Sequence, residues 1–310
     1  MLKKEKVLII GISGQDGTYL SQILHNRGLV VYGTSRNPSS NSFKKNTHKI
    51  NFSANIPVIK LNPQDFNAVN KIISELKPDY IFNMSGQTSV SKSFDDGGDT
   101  FQSIVPVVNN ILNSILHSNL KIKFLNAGSG EIFNAKPNKI ITESSEMKVS
   151  SPYAAAKLDA FNIVKKFREE KNLFAVTAIL FNHESILRPD HFVTKKIINS
   201  AIQIFNGELD VLSVGDISLI RDWGWAPEYA DAMQKILMLD EPDDFIISSG
   251  SSISLENFIE AVFNELSLNY KDFIEINMDF FRPNEPQSIL ADPSKLMQLT
   301  SWEPKIKGTK

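Results

Sequence analysis

The 310-residue chain carries 33 basic and 35 acidic residues, a formal net charge of −2, so no basic field marks it for nucleic acid and no acidic tail stands out. Apolar residues make up 42% and charged residues 22%, the balance of a globular protein with a substantial core rather than a disordered chain. Cysteine is absent, which excludes disulfides, thiolate metal sites and cysteine nucleophiles.

The basic start and the apolar run at residues 7–10 are too short for a signal peptide. No stretch approaches the ~18 apolar residues of a membrane span. The expectation is a soluble, cytoplasmic protein without membrane or nucleic-acid partners. Residues 7–10 read as a buried strand, and residues 19–27 as a helix stopped at Gly28. Strands are expected at 30–34, 58–61, 80–84, 124–127 and 175–181, with helices at 68–76, 104–117 and 154–171 between them. This alternation predicts an α/β protein with a doubly wound parallel sheet and ligands at the carboxyl ends of its strands. Beyond residue 184 the alternation weakens to helices at 192–205 and 255–266 and short strands at 209–214 and 245–249. The polar stretch 35–55 reads as a disordered segment or a binding loop. Residues 1–183 are expected to form the sheet domain, with later returns near 220–250. Residues 184–310 are expected to form mainly a smaller α/β lobe fused to it.

Gly11, Gly14 and Gly17 follow the first strand and open the first helix, enclosing Gln15 and Asp16. Their spacing suits a tight turn, close backbone approach to a pyrophosphate, and packing of helix on strand. In this setting the turn points to a Rossmann-type dinucleotide site. The second strand ends at Gly33-Thr34-Ser35-Arg36 without an acid, and Arg36 favours a 2′-phosphate, hence NADP. Tyr153 and Lys157 stand four residues apart at the start of a helix, on one face, with Pro152 suited to its first turn. A lysine beside a tyrosine stabilises the phenolate, so the pair suits proton removal from a carbinol during hydride transfer.

The glycine turn with the Tyr-x-x-x-Lys pair resembles the short-chain dehydrogenase/reductase superfamily. GISGQDGTYL, SPYAAAKLDA, LFNHES, FVTKKI, RDWGWAPEYADAM, DEPDDFIISSG and FFRPNEP resemble the GDP-mannose 4,6-dehydratase family over nearly the whole chain. The resemblance implies catalytic roles for Ser129, Glu131, Tyr153 and Lys157. Tyr153, assisted by Ser129, would take the 4-hydroxyl proton as hydride leaves C4. Glu131 would remove the C5 proton and protonate the departing 6-hydroxyl, and the stored hydride would return to C6. Net redox is zero.

The same resemblance places Asn62, Met84, Ser85, Gln87, His183 and Arg188 at the cofactor, with Lys157 on its ribose. It places Ser85, Asn182, Lys196, Arg221, Arg282 and Glu285 at the sugar nucleotide. A buried, satisfied histidine is the competing reading for His183, and an ion pair with Asp222 the competing one for Arg221. Spacing supports no metal site. Departures from the family pattern fall at Asn62-Pro63, Thr88-Ser89, Gly130, Phe133-Asn134 and near Asp99. They keep a related GDP-sugar, such as a heptose, open as substrate. An epimerase or 4-keto reductase and a non-enzymatic NADP-binding sensor or scaffold are the other readings. The resemblance also implies a homodimer or homotetramer, built through the helices at 104–117 and 154–171 and, in a tetramer, the 35–55 stretch.

Overall fold

A strand that is apolar on both faces is satisfied only between two layers of helices, and the central strands of the seven-stranded main sheet are of that kind. In the computed structural model, which describes residues 4–133, 135, 139–281 and 285–308, the first five are β1 (Lys6–Ile10), β2 (Val30–Ser35), β3 (Val58–Lys60), β4 (Tyr80–Asn83) and β5 (Lys123–Ala127). After the two-residue β6 (Ile140–Ile141) come β7 (Ala175–Leu180), β8 (Asn182–Glu184), β9 (Leu212–Val214), β10 (Ile220–Trp225) and β11 (Phe245–Ile247). The main sheet is parallel throughout, in the order β3-β2-β1-β4-β5-β7-β11. Its strand order reverses between β1 and β4, so a crevice opens beyond Ile10 and Asn83.

Among the described residues, ten α-helices accompany these strands. They are α1 (Gln15–Asn26), α2 (Ser42–Lys49), α3 (Phe66–Leu76), α4 (Val90–Asp95), α5 (Gly97–Ser118), α6 (Pro152–Lys171), α7 (Val193–Phe205), α8 (Ala226–Leu237), α9 (Leu255–Glu265) and α10 (Ser294–Thr300). Alternate residues of β1 face opposite layers. Val7 and Ile9 pack with Leu20 and Leu24 of α1 and Met233 and Ile236 of α8, while Leu8 and Ile10 pack with Val69 of α3, Ile111 of α5 and Ala160 of α6. A separate core joins α7, α9 and β9 through Ile197, Ile259, Phe263, Leu212 and Trp223. Three further short strands, β12 (Ser252–Ser254), β13 (Ile274–Ile276) and β14 (Leu290–Ala291), pair with β10, β9 and β6.

The strands of the main sheet lie where the apolar runs place them. Other elements differ from expectation for identifiable reasons. Helix α5 starts at Gly97, ahead of 104, and runs through Pro106. A proline there leaves the carbonyl of Gln102 without its helical partner, and the Gln64 amide donates to that oxygen at 3.0 Å. The 35–55 stretch is not an open loop. It contains α2, held by an Asn46 side-chain hydrogen bond to the Ser13 carbonyl at 3.0 Å, with Phe52 buried and Phe43 and Ile50 packed on the core. Strand β10 and helix α8 escaped the pattern because Ile220–Trp225 buries Arg221 and Asp222 among its apolar residues. No helix among the described residues is long and apolar enough to cross a membrane.

One buried ion pair fixes the far edge of the sheet. Arg168 of α6 forks onto Asp244 at 2.9 and 2.5 Å, and the Thr177 N–H of β7 donates to the same carboxylate at 2.8 Å. Removing one partner strands the other charge. Asp244→Ala is expected to cost about 3–5 kcal/mol in urea unfolding, and a loss below about 1 kcal/mol would show the pair to be dispensable.

Candidate active site

The glycine turn divides its labour. Gly11 has φ +88°, and a Cβ there would lie 2.8 Å from the Met84 carbonyl at the end of β4. A Cβ at Gly17 would lie 2.6 Å from the Gly11 carbonyl, so this glycine lets α1 close onto the strand. Gly14, the N-cap of α1, is different: the only atom near its missing Cβ is the Gly11 carbonyl at 3.6 Å. The protein itself leaves that space open above the unpaired N–H groups of the first helical turn.

At the end of β5 the chain turns through Gly128 and a short 3-10 segment, Gly130–Ile132, which carries Glu131. Ser129 is buried and accepts the Glu131 N–H at 3.3 Å. Its hydroxyl lies near the phenol of Tyr153, which α6 delivers in its first turn, and favours the ionised form of that phenol. Ser151 caps that turn, accepting the Ala154 N–H at 3.1 Å, and Pro152 occupies the position where a missing N–H costs nothing. Lys157 lies one turn on, with its ammonium 5.7 Å from the Tyr153 ring centroid and donating to the Ala127 carbonyl at 2.8 Å.

Burial pulls Lys157 down to about 8. Burial also lifts the Tyr153 phenol well above its ordinary value, and the nearby Glu131 adds to the rise. Ser129 and the Arg188 charge oppose it. Burial thus outweighs the two groups, Ser129 and Arg188, that favour the phenolate.

Asp16 and His183 meet across the crevice. His183 Nε2 donates to Asp16 at 2.9 Å and Nδ1 donates to the Phe181 carbonyl at 2.7 Å. Both partners are acceptors, so the imidazole carries both protons. Burial pushes His183 down, but the Asp16 charge and hydrogen bond reverse this and leave it raised. Burial likewise pushes Asp16 up, and His183 more than reverses it, so the carboxyl is lowered. Tyr229 stacks on the imidazole at 4.6 Å. Gln15 donates to the His183 carbonyl at 3.2 Å and accepts from Ser185 at 2.7 Å, so the start of α1 is laced to β8. Arg188 pairs with Glu184 in this same region. The His183 side chain thus ties the start of α1 to β8.

A cleft is lined by Ser129, Glu131, Asn182, Arg221 and Asp222, and the first two of these act on Tyr153. A second hollow continues from Glu131 and Arg221 to Val90, Phe94, Ser150 and Glu285. Arg221 is paired not with Asp222 but with Glu285, at 3.0 Å, while Asp222 accepts the Ser249 and Gly250 N–H groups at 2.9 Å each. Burial raises Asp222 to about 6.

The remaining expected residues sit more loosely. Lys196 donates to the Ser213 carbonyl at 2.7 Å and lies over the Phe280 ring. Met84 and Ser85 follow β4 into the crevice, with Ser85 donating to Asn83 at 2.6 Å. The Gln87 amide is spent in its own loop, donating to the Ser89 carbonyl at 2.6 Å. Arg36 and Asn62 are exposed at the ends of β2 and β3. Arg282 lies outside the described residues. Glu184 and Tyr229 join the site without a role read from the sequence, their only sign being the LFNHES and RDWGWAPEYADAM peptides, and Asp222 joins it as a backbone acceptor rather than as the partner of Arg221. Among the described residues no cluster of acids and histidines is placed to hold a metal ion.

The family model for GDP-mannose 4,6 dehydratase matches residues 8–310. The chain belongs to the GDP-mannose 4,6-dehydratase family. GDP-mannose 4,6 dehydratase 2 of Arabidopsis thaliana is 34% identical over 96% of this chain and 82% of its own length. The Homo sapiens GDP-mannose 4,6 dehydratase is 34% identical over 96% and 87%. Among solved structures, RMD from Pseudomonas aeruginosa complexed with NADPH has a TM-score of 0.79 at 20% identity, covering 98% of this chain and 94% of that one. It confirms the fold. Two departures from the family pattern have local reasons. A Cβ at Gly130 would lie 2.8 Å from the Phe181 ring, which lines the cleft. Ser89 caps α4, accepting the Lys92 N–H at 3.3 Å.

The Asp16–His183 pair predicts a pH window for stability. The Asp16 contribution is complete above its ordinary value of 3.8 and is lost as pH falls through its lowered one. The His183 contribution is complete below 6.5 and is lost as pH rises through its raised value. In urea melts, His183→Gln is therefore expected to be less stable than the native chain by about 3 kcal/mol between those limits, with the gap narrowing on either side. A gap independent of pH would contradict the assignment.

Proposed function

We propose that this chain is an NADP-dependent dehydratase that converts GDP-mannose to its 4-keto-6-deoxy sugar. The observation that carries the reading is one cleft holding a buried serine, a carboxylate and an arginine beside the tyrosine–lysine pair. The fit of the cofactor rests on the glycine turn, where the space over Gly14 is left open by the protein and a pyrophosphate would fill it. Arg36, beyond β2 and free of a neighbouring acid on that strand, suits the 2′-phosphate. Met84, Ser85 and Lys157 border the ribose and nicotinamide side, and Asn62 the adenine side. When bound, oxidised NADP supplies a reversible hydride acceptor and a positive charge beside Tyr153.

The chain's own groups handle the protons. Tyr153 accepts the proton of the 4-hydroxyl, with Ser129 and Arg188 favouring the phenolate against burial. The resulting 4-ketone acidifies the C5 proton. Glu131 takes that proton and returns it to the 6-hydroxyl, which leaves as water. Tyr153 gives its proton to C5 as hydride reaches C6, which restores the phenolate and saturates the C5–C6 bond. The carbohydrate loses one water and the enzyme ends as it began. Arg221, oriented by Glu285, with Lys196 and Asn182, offers the cationic and hydrogen-bonding surface that a sugar diphosphate needs. This concerted loss of the C5 proton and 6-hydroxyl is what distinguishes dehydration from epimerisation or ketone reduction, neither of which uses Glu131.

GDP-mannose incubated with the protein and NADP is expected to lose one water with no accumulation of NADPH, read by mass spectrometry and absorbance. Glu131→Gln should reduce the rate about 10²–10⁴-fold. An unchanged sugar mass would overturn GDP-mannose as substrate and direct the test to a GDP-heptose. The homodimer or homotetramer is also proposed, with Phe94 and Phe101 as apolar surface residues on α4 and α5. Sedimentation at micromolar protein tests it, and a monomer would contradict it.

A further inference from the structure

The buried acid Glu184 has no part in the steps above. It ends β8, and its Oε2 accepts the Thr194 hydroxyl of α7 at 2.7 Å while lying 3.1 Å from Arg188 Nε. The Arg188 guanidinium carbon lies over the Phe192 ring, 3.6 Å from its centroid, and Phe192 is the N-cap residue of α7. A carboxylate at Nε and an aromatic ring against the central carbon thus restrain the guanidinium from two sides. Both charges are mostly buried, with side chains 17% and 19% exposed.

The Arg188 charge lowers both Asp16 in the first turn of α1 and the Tyr153 phenol, so the guanidinium lies near both. Among the described residues no acceptor takes a hydrogen bond from it: Nε faces Glu184 as an ion pair without hydrogen-bond geometry, and the terminal nitrogens have no partner. An arginine this buried normally uses several of its five donors on protein. One that spends none on hydrogen bonds, beside an open helix N-terminus, matches the bidentate geometry of a phosphate oxyanion.

We propose that Glu184 is a positioning residue that, with Thr194 and Phe192, holds the Arg188 guanidinium as a fixed fork for a nucleotide diphosphate. The arrangement also ties that fork to α7, the helix carrying Lys196, so the diphosphate site and the sugar-nucleotide lobe share one anchor. The proposal rests on the nucleotide-binding reading above and deepens it. Glu184 acts only through Arg188, which makes it separable from a residue that merely stabilises the fold.

The test is a double-mutant cycle on nucleotide-free protein, with NADPH binding read by fluorescence and GDP binding by calorimetry. Glu184→Gln keeps the shape and the Thr194 hydrogen bond but removes the charge facing Arg188. Arg188→Lys keeps a charge but loses the planar fork. Each is expected to weaken one of the two ligands about tenfold and the other less than about twofold, with the double variant no weaker than the worse single one. Loss confined to NADPH assigns the fork to the cofactor diphosphate, and loss confined to GDP assigns it to the sugar nucleotide. Unchanged affinity for both ligands in Glu184→Gln, or losses that multiply in the double variant, would overturn the proposal. If Glu184→Gln does not fold, Thr194→Val serves in its place and must show the same non-additivity with Arg188→Lys. A native protein that binds neither NADPH nor GDP would instead count against the dehydratase reading itself.

Discussion

A parallel sheet cannot return on itself at a hairpin, so every strand must be followed by a crossover and all the carboxyl ends collect along one edge. That constraint gathers Gly11 after β1, Met84 after β4, Ser129 and Glu131 after β5, and His183 after β7, although they span most of the chain. The reversal of strand order at β1 and β4 then parts the flanking helices and leaves a crevice where these residues face one another. The layers behind them are filled by side chains that are almost wholly buried, such as Ile9, Ile10, Phe82 and Leu125. Ser129 and Glu131 are carried on a turn at that edge, and Tyr153 and Lys157 on the first turns of α6 beside it.

The crevice is dry enough that charge has to be arranged in pairs. Asp16 with His183, Glu184 with Arg188, and Arg221 with Glu285 each join elements or turns around the site. Such pairs add little net stability compared with an apolar filling, but breaking one leaves a costly lone charge, so they enforce a single arrangement. This suits a reaction in which the hydride is borrowed and returned. A cofactor that shifted between the two transfers would strand the intermediate, and pre-set dipoles and charges cost no reorganisation when the protons move. The same desolvation explains the opposite displacements of Tyr153 and Lys157: each is pushed toward its neutral form, the phenol upward and the ammonium downward.

Much of this was legible in the chain because the informative residues obey local rules. Runs such as Val7–Ile10 and Ala175–Leu180 are apolar without interruption, and glycine at 11 and 17 is demanded by contacts a Cβ would violate. The 220–225 segment was illegible for the converse reason. Arg221 and Asp222 are buried on β10, and only partners about 64 and 27 residues away, Glu285 and the Ser249–Gly250 backbone, make that burial tolerable. Helix α2 hid in a polar stretch because Phe43, Ile50 and Phe52 provide its few anchors. The direction of the Tyr153 shift was likewise beyond sequence, since spacing reports the nearby lysine but not the loss of water around the phenol.

The central claim is that hydride leaves C4 and returns to C6 of the same sugar while Glu131 moves the C5 proton and the 6-hydroxyl. GDP-mannose labelled with deuterium at C4 tests it most directly, with the product examined by NMR. The account predicts deuterium in the C6 methyl group of the 4-keto product, with the C5 position carrying a solvent proton. Deuterium retained at C4, or released with the reduced cofactor into solution, would contradict it.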